Sequence, residues 1–254
     1  MITLASDFGM PYPAAMKGVI LQRSDARLVD VSHDFPRGDV RVAAFWLREV
    51  LAYFPPAVHL VVVDPGVGTD RKALVVCAGE HALVGPDNGV LWPVARRLAG
   101  DPPFEAYVID DADAESTTFH GRDVFAPTAA TVHDTEHEKL DSLEILTPIS
   151  TDELVDLTLP GAQVEGDRAR GEVLVVDDFG NVITNVPGTF LAERSAIYVD
   201  GESVPVAETF GAVEAGARLA TVGSHGYVEL DVNRGRGDVA FSLEPGDPVR
   251  LEFV

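Results

Sequence analysis

Carboxylates follow apolar runs at three places in the first half of the chain, a pattern that puts charge at the rim of a buried sheet. Asp7 closes Ile2-Thr3-Leu4-Ala5-Ser6, Asp64 closes Val58-His59-Leu60-Val61-Val62-Val63, and Asp87 follows Ala82-Leu83-Val84-Gly85-Pro86. In open α/β sheets, ligands bind at the carboxyl ends of strands. Asp64 opens the loop Asp64-Pro65-Gly66-Val67-Gly68-Thr69-Asp70-Arg71, whose glycines let backbone approach a ligand closely. Arg71 is within reach of a neighbouring carboxylate, and the same residues read equally as a turn with a surface ion pair. Gly66-Val67-Gly68 is not a dinucleotide fingerprint, because the third glycine and the following helix are missing.

His120 lies in Thr117-Thr118-Phe119-His120-Gly121-Arg122-Asp123. A histidine can position or deprotonate a water, although a lone loop histidine is more often structural. The other histidines form no HxH or HExxH pattern. A divalent-metal hydrolase built from Asp7, Asp30, His33, Asp64, Asp87 and His120 is a second way to use these strand-end groups. The single cysteine, Cys77, sits in an apolar run and reads as a buried, inert thiol, which excludes a cysteine-based metal site. In the second half, Val175-Val176-Asp177-Asp178-Phe179-Gly180-Asn181-Val182 runs from strand to turn to strand. Asp, Gly and Asn all favour a plain β-turn. The functional reading makes Phe179 a stacking surface for a base and Asn181 an amide that reads a purine edge.

The elements that must position these groups change character along the chain. Up to about residue 150, apolar runs alternate with helical patterns, which predicts a three-layer α/β domain. Asp39 is the expected N-cap of a helix through Phe54, with Val40, Ala43, Ala44, Leu47, Val50, Leu51 and Phe54 on one face. Val58–Val63 is a near-continuous apolar strand of the kind covered on both faces. After residue 150, short β-rich pieces between Gly, Pro and Asp turns predict a small barrel or sandwich. The expected division is an N-terminal domain over 1–157, a linker over 158–171 and a C-terminal β-barrel over 172–254.

The net charge of −22 repels nucleic acid and anionic membranes. Such a surface suits a high-salt cytoplasm, where ions screen its self-repulsion. No apolar run is long enough to cross a bilayer, and the N-terminus lacks a basic n-region, so a soluble cytoplasmic protein is expected.

Taken together, the blocks resemble the S-adenosylmethionine hydroxide adenosyltransferases, relatives of the fluorinase and chlorinase. They are Ser6-Asp7-Phe8-Gly9, Met16-Lys17-Gly18-Val19-Ile20, Asp30-Val31-Ser32-His33, Asp64-Pro65-Gly66-Val67-Gly68 with Arg71, and Gly85-Pro86-Asp87-Asn88-Gly89. Phe119-His120-Gly121-Arg122-Asp123 through Pro127, Asp178-Phe179-Gly180-Asn181 through Asn185, and Val222-Gly223-Ser224 through Asn233 complete the set. The resemblance implies hydrolysis of S-adenosyl-L-methionine by attack of water or hydroxide on the ribose C5′, releasing methionine and adenosine. It implies a homotrimer whose substrate lies between one subunit's N-terminal domain and its neighbour's C-terminal domain. No metal or other cofactor is implied, S-adenosylmethionine being the substrate.

The family's water-holding triad falls on Asp64, Arg71 and His120, with Asp64 also a possible ribose contact. Asp7 matches the carboxylate that grips the ribose hydroxyls, and Phe179 with Asn181 the adenine platform and reader. Asp177 and Ser224 match contacts to the methionine part, while Glu229 and Val232 fall in the segment that closes over the ligand. A halogenase is the alternative within the same resemblance. Where halogenases carry tyrosine and threonine around the halide this chain has Asp64 and Val67, and Gly121 replaces the fluorinase's serine. A fixed carboxylate repels a halide, which favours water. Two departures concern the methionine end: Met10-Pro11-Tyr12-Pro13-Ala14 is shorter and lacks the family's acidic residue, and His225 stands where the fluorinase has arginine.

Overall fold

The computed structural model describes residues 1–100, 104–112 and 116–253. The chain divides into two compact units, Met1–Leu159 and Pro160–Val254. The first contains, in order, β1 (Ile2–Ser6), α1 (Tyr12–Leu21), β2 (Leu28–Ser32), α2 (Val40–Leu51), β3 (Val58–Val62), β4 (Ala73–Ala78) and β5 (His81–Pro86). It continues with α3 (Trp92–Ala99), β6 (Glu105–Ile109), α4 (Ala126–His133) and β7 (Leu146–Pro148). The strands form one sheet in the order β2-β1-β3-β5-β4-β6-β7. β2, β1, β3 and β5 are mutually parallel, whereas β4, β6 and β7 join by antiparallel pairing.

Both faces of this sheet are covered, as the unbroken apolar runs require. Leu60 and Val62 of β3 pack into a core with Met16 and Ile20 of α1 and Ala129 and Ala130 of α4. Val61, between them, faces the opposite core with Ala43, Leu47 and Leu51 of α2 and Val94 and Ala95 of α3. The three layers expected from the sequence are present. Asp39 caps α2 as expected, its carboxylate accepting from the Val42 amide at 2.9 Å.

The second unit is antiparallel throughout its sheet. It contains β8 (Gln163–Glu165), β9 (Arg168–Val176), β10 (Val182–Pro187), β11 (Ala196–Val199), β12 (Glu202–Pro205), β13 (Arg218–Val222), β14 (Tyr227–Val232), α5 (Gly237–Phe241) and β15 (Pro248–Phe253). The order is β12-β11-β15-β9-β10-β14-β13, with β8 pairing off β9. A bridge between Val206 and Ala220 brings the two ends together, so the sheet is a nearly closed barrel around Val173, Val182, Val228, Leu230 and Val249. The stretch 158–171, expected as a linker, instead contains β8 and the start of β9. Residues 163–165 are all exposed, so no apolar alternation marks that hairpin, and its backbone pairing to β9 holds it. Among the described residues no helix is long and apolar enough to cross a membrane.

Candidate active site

The ends of β1 and β3 bring Asp7 and Asp64 to the same rim of the sheet. Asn88, after β5, fastens that rim by donating its side-chain amide to the Val63 carbonyl at 2.8 Å. Gly68 takes a positive φ of +78°, and a Cβ there would sit 2.7 Å from the Thr117 carbonyl oxygen. Only glycine therefore lets the Asp64 loop lie against the segment that carries His120. His120 itself precedes a wide π-type turn, Gly121–Phe125, which runs into α4. Such turns displace side chains from the regular helical track and recur at functional sites.

Three side chains meet at this junction. The Arg71 guanidinium grips the Asp64 carboxylate with Nε at 3.1 and 3.0 Å from its two oxygens and Nη2 at 2.5 Å from Oδ2. The same Nη2 lies 2.9 Å from His120 Nδ1. A guanidinium only donates, so Nδ1 accepts and the ring proton is assigned to Nε2. The side chains of Arg71 and Asp64 are 9% and 5% exposed, and His120 is equally buried. The guanidinium carbon stands 5.1 Å from the centroid of the Phe125 ring, within cation–π range.

Asp64 and His120 line a chamber of about 70 Å³ together with Asp7, Val62, Val67 and Gly121. With a water's share of liquid volume at about 30 Å³, it has room for one or two waters. Asp7, Phe8, Asp64, Val67, Thr118 and Phe119 also belong to a cleft of about 690 Å³, edged by Tyr12, Arg37 and Arg122. That volume suits a nucleoside-sized ligand. Arg71 lines neither cavity; it joins two residues that do. One Asp7 oxygen accepts from the Gly38 amide at 2.6 Å.

In the second unit the turn after β9 is organised by Asp177. Its Oδ1 accepts from the amides of Phe179 and Asn181, and its Oδ2 from the Asn181 side-chain amide, each at 2.9 Å. Phe179 is 79% exposed, which leaves an aromatic face open for stacking. Ser224 lies in the turn between β13 and β14, Glu229 is buried on β14, and Val232 ends that strand. Apart from Glu229, the ligand contacts expected beyond the triad thus fall on strand ends and turns.

The chain matches the SAM hydroxide adenosyltransferase N-terminal domain over residues 2–143 and the C-terminal domain over residues 171–250. It belongs to the SAM hydroxide adenosyltransferase family. It is 39% identical over 257 residues to a protein of Salinispora tropica named (R)-S-adenosyl-L-methionine hydrolase, covering 98% of this chain and 97% of that one. A protein of Thermus thermophilus with the same name is 42% identical over 262 residues, covering 97% of each. Among solved structures, a conserved protein from Thermotoga maritima superposes with a TM-score of 0.85 at 32% identity over 99% of each chain. A conserved hypothetical protein from Thermus thermophilus gives 0.78 at 40% identity over 98% of each.

Asp64, Val67 and Gly121, the three positions that the resemblance sets against the halogenases, all line the small chamber. Its polar lining includes, beside Asp7 and Thr118, the Asp64 carboxylate acceptor and a histidine whose Nε2 carries the proton. Water uses both, while a halide uses the donor alone and meets a fixed negative charge. Of the strand-end groups considered for a metal, Asp7, Asp64 and His120 share the small chamber, whereas Asp30, His33 and Asp87 are engaged elsewhere. Asp30 accepts from Lys17 at 2.6 Å and is 3.0 Å from His33, and Asp87 accepts from the Val155 amide at 2.8 Å. Among the described residues no group of three or more His, Cys, Asp or Glu is placed to hold a metal ion.

Sequence reasoning misses several cleft residues. Phe8, Tyr12 and Phe119 form a triangle of edge-to-face contacts with centroids 5.4–6.1 Å apart. Phe119 lies so far along the chain from the other two that no local signal links them. Asp231, fully buried on β14, escapes it as well.

Proposed function

We propose that this chain hydrolyses S-adenosyl-L-methionine to adenosine and L-methionine, acting on the (R) configuration at sulfur named for its relatives. A water oxygen bonds to the ribose C5′ as the C5′–S bond breaks. The bonding pair returns to sulfur, giving the neutral thioether of methionine, and one water proton passes to the site or to solvent. The sulfonium leaves readily without protonation or a metal, so the enzyme's task is alignment, which alone can contribute several kcal/mol. The observation that carries the reading is the small chamber lined by Asp64 and His120, tied together by one Arg71 nitrogen, which shares Asp7 and Asp64 with the nucleoside-sized cleft.

In this reading Asp64 accepts one hydrogen of the water, His120 Nε2 donates to one lone pair, and the remaining lone pair points at C5′. Arg71 is a positioning residue. Asp7 holds the ribose hydroxyls, Phe179 stacks on adenine and Asn181 reads its edge. Asp177 and Ser224 attend the methionine half, with Glu229 and Val232 closing over it. Substrate sits at the interface of a homotrimer, and no cofactor takes part. The enzyme works in the cytoplasm, where its substrate is made.

The test is incubation of each sulfur epimer in ¹⁸O-labelled water with product chromatography, in chloride buffer and after chelation. Labelled adenosine, formed faster from the (R) epimer and undiminished by chelation, is the expected result. Intact substrate, 5′-chloroadenosine, or loss of turnover on chelation would overturn it. The acidic surface adds a separate expectation: with a net charge of −22, self-repulsion is screened by salt, so the protein melts higher in molar KCl than in dilute buffer. Equal melting temperatures would refute a salt-adapted surface.

A further inference from the structure

Two blocks of the sequence, residues 16–20 and 30–33, have no part in the reaction described so far, and the fold joins them beside Asp7. Lys17 of α1 donates to Asp30 Oδ2 at 2.6 Å, and His33 Nε2 lies 3.0 Å from Asp30 Oδ1. Burial raises the Asp30 carboxyl, but the bonds from Lys17 and His33 outweigh it and hold the group below its ordinary range. A carboxylate only accepts, so His33 Nε2 carries a proton. On the other side of the ring, Nδ1 meets the Ser6 hydroxyl at 2.7 Å.

The sequence of contacts Ser6–His33–Asp30 is that of a nucleophilic triad. Ser6 has no exposed surface, however, His33 is 9% exposed, and neither lines the cleft or the small chamber. That hydroxyl is out of a substrate's reach, so the chain of contacts acts through what it holds. It holds the loop of Asp7. Toward β3, the parallel ladder runs to the end of β1 and includes Ser6. Toward β2, the ladder slips between Leu4 and Ala5 and stops at the Ala5–Ser32 pair, short of Asp7. His33 takes over there. Its ring bonds Ser6, just before Asp7, and its carbonyl accepts from the Gly9 amide at 2.9 Å, two residues after it. With Asp7 Oδ2 on the Gly38 amide, the carboxylate is fixed from both flanks and from its own tip.

We propose that His33 is a positioning residue for the ribose grip: through Ser6 and Gly9 it holds the Asp7 carboxylate in place for the sugar hydroxyls before substrate arrives. The inference rests on the reading of Asp7 as the ribose contact. An acceptor that is already fixed lowers the ordering cost of binding. It also sets where C5′ stands relative to the water chamber, which Asp7 itself lines. Asp30, steadied by Lys17, sets the orientation of the His33 ring and the place of its proton.

The test measures kcat/KM for S-adenosylmethionine and for its 2′,3′-dideoxy analogue, which offers Asp7 no hydroxyl, in wild type, His33→Leu, Asp7→Ala and the double variant. Wild type prefers the natural substrate, and Asp7→Ala removes most of that preference. His33→Leu lowers kcat/KM for S-adenosylmethionine about tenfold or more and for the analogue less than about twofold. In the Asp7→Ala background it costs nothing further. Ser6→Ala removes the same bond with little change of volume and shifts the preference the same way, which guards against a folding defect in His33→Leu. Equal losses on both substrates, or an unchanged kcat/KM for S-adenosylmethionine, would show that His33 serves the fold alone and overturn the assignment. A wild type that turns over both substrates equally would sink the ribose grip of Asp7, and the role of His33 with it. Absence of wild-type turnover would instead sink the hydrolase reading, and calorimetry of adenosine against 2′,3′-dideoxyadenosine would then judge His33 on the same criterion.

Discussion

Arg71→Met lowers kcat about a thousandfold while KM moves far less, and Arg71→Lys recovers only a small part of the loss. Arg71 lines neither cavity, so its removal takes nothing from substrate directly. It releases Asp64 and His120 from the one nitrogen that registers them against each other. Displacement of a reacting group by about 1 Å can cost about a hundredfold, and here Asp64 and His120 come loose together. Lysine restores a charge but not the planar fork that reaches two partners at once. The Asp64 carboxylate, 5% exposed, is also left buried and unneutralised, so Arg71→Met loses about 3 kcal/mol of folding stability. Steady-state kinetics with urea unfolding read both effects. A double-mutant cycle of Arg71→Met with His120→Ala separates positioning from independent action: the two losses are strongly non-additive if Arg71 works through its neighbours. Additive losses, or full activity in Arg71→Lys, would rule out the positioning role.

What the sequence reveals follows from which forces act locally. Val58–Val62 is a run of buried residues, and burial on both faces leaves a nearly unbroken apolar word, interrupted only by His59, that needs no context. Asp39 caps α2 through a bond three residues away, equally local. The β8–β9 hairpin reads as linker because its stability lies in backbone pairing between polar segments. The triad is nameable only through resemblance, since the Arg71–His120 contact spans 49 positions and no spacing rule encodes it. Asp231 escapes notice for a different reason. Val228-Glu229-Leu230-Asp231-Val232 alternates as a half-solvated strand should, and the alternation correctly separates two faces. What it leaves open is whether the second face meets water. That depends on what packs over it, which the strand's own alternation does not encode.

A pH-dependent effect on stability is expected at His59, which lies inside the first unit with no exposed surface. Its Nδ1 is 2.7 Å from the Thr3 hydroxyl, and its Nε2 is 2.9 Å from Nδ1 of His81, on which it stacks at 5.1 Å. Burial, and secondarily His81, push His59 down from 6.5 to about 3. His81 is lowered too, by burial against a raising influence from Glu80 and a lowering one from His137. Between pH 6.5 and 3 the unfolded chain therefore binds a proton at His59 that the folded chain refuses. Stability contributed by the neutral ring is complete above 6.5 and is lost as pH falls towards 3, at about 1.4 kcal/mol per pH unit. Glu229 and Asp231 tilt the other way, because their raised pKa values favour the folded state at low pH and lose that contribution as pH rises towards about 7 and 8. The wild-type curve alone mixes these slopes, and the comparison with His59→Gln isolates one of them. Glutamine keeps polar atoms in the site and does not titrate. Urea unfolding at about pH 7.5, 6.0 and 4.5 should show wild type ahead of His59→Gln at the highest pH and its advantage shrinking by about 3 kcal/mol at the lowest. A difference that stays constant across that range would mean that His59 is not held neutral by the fold.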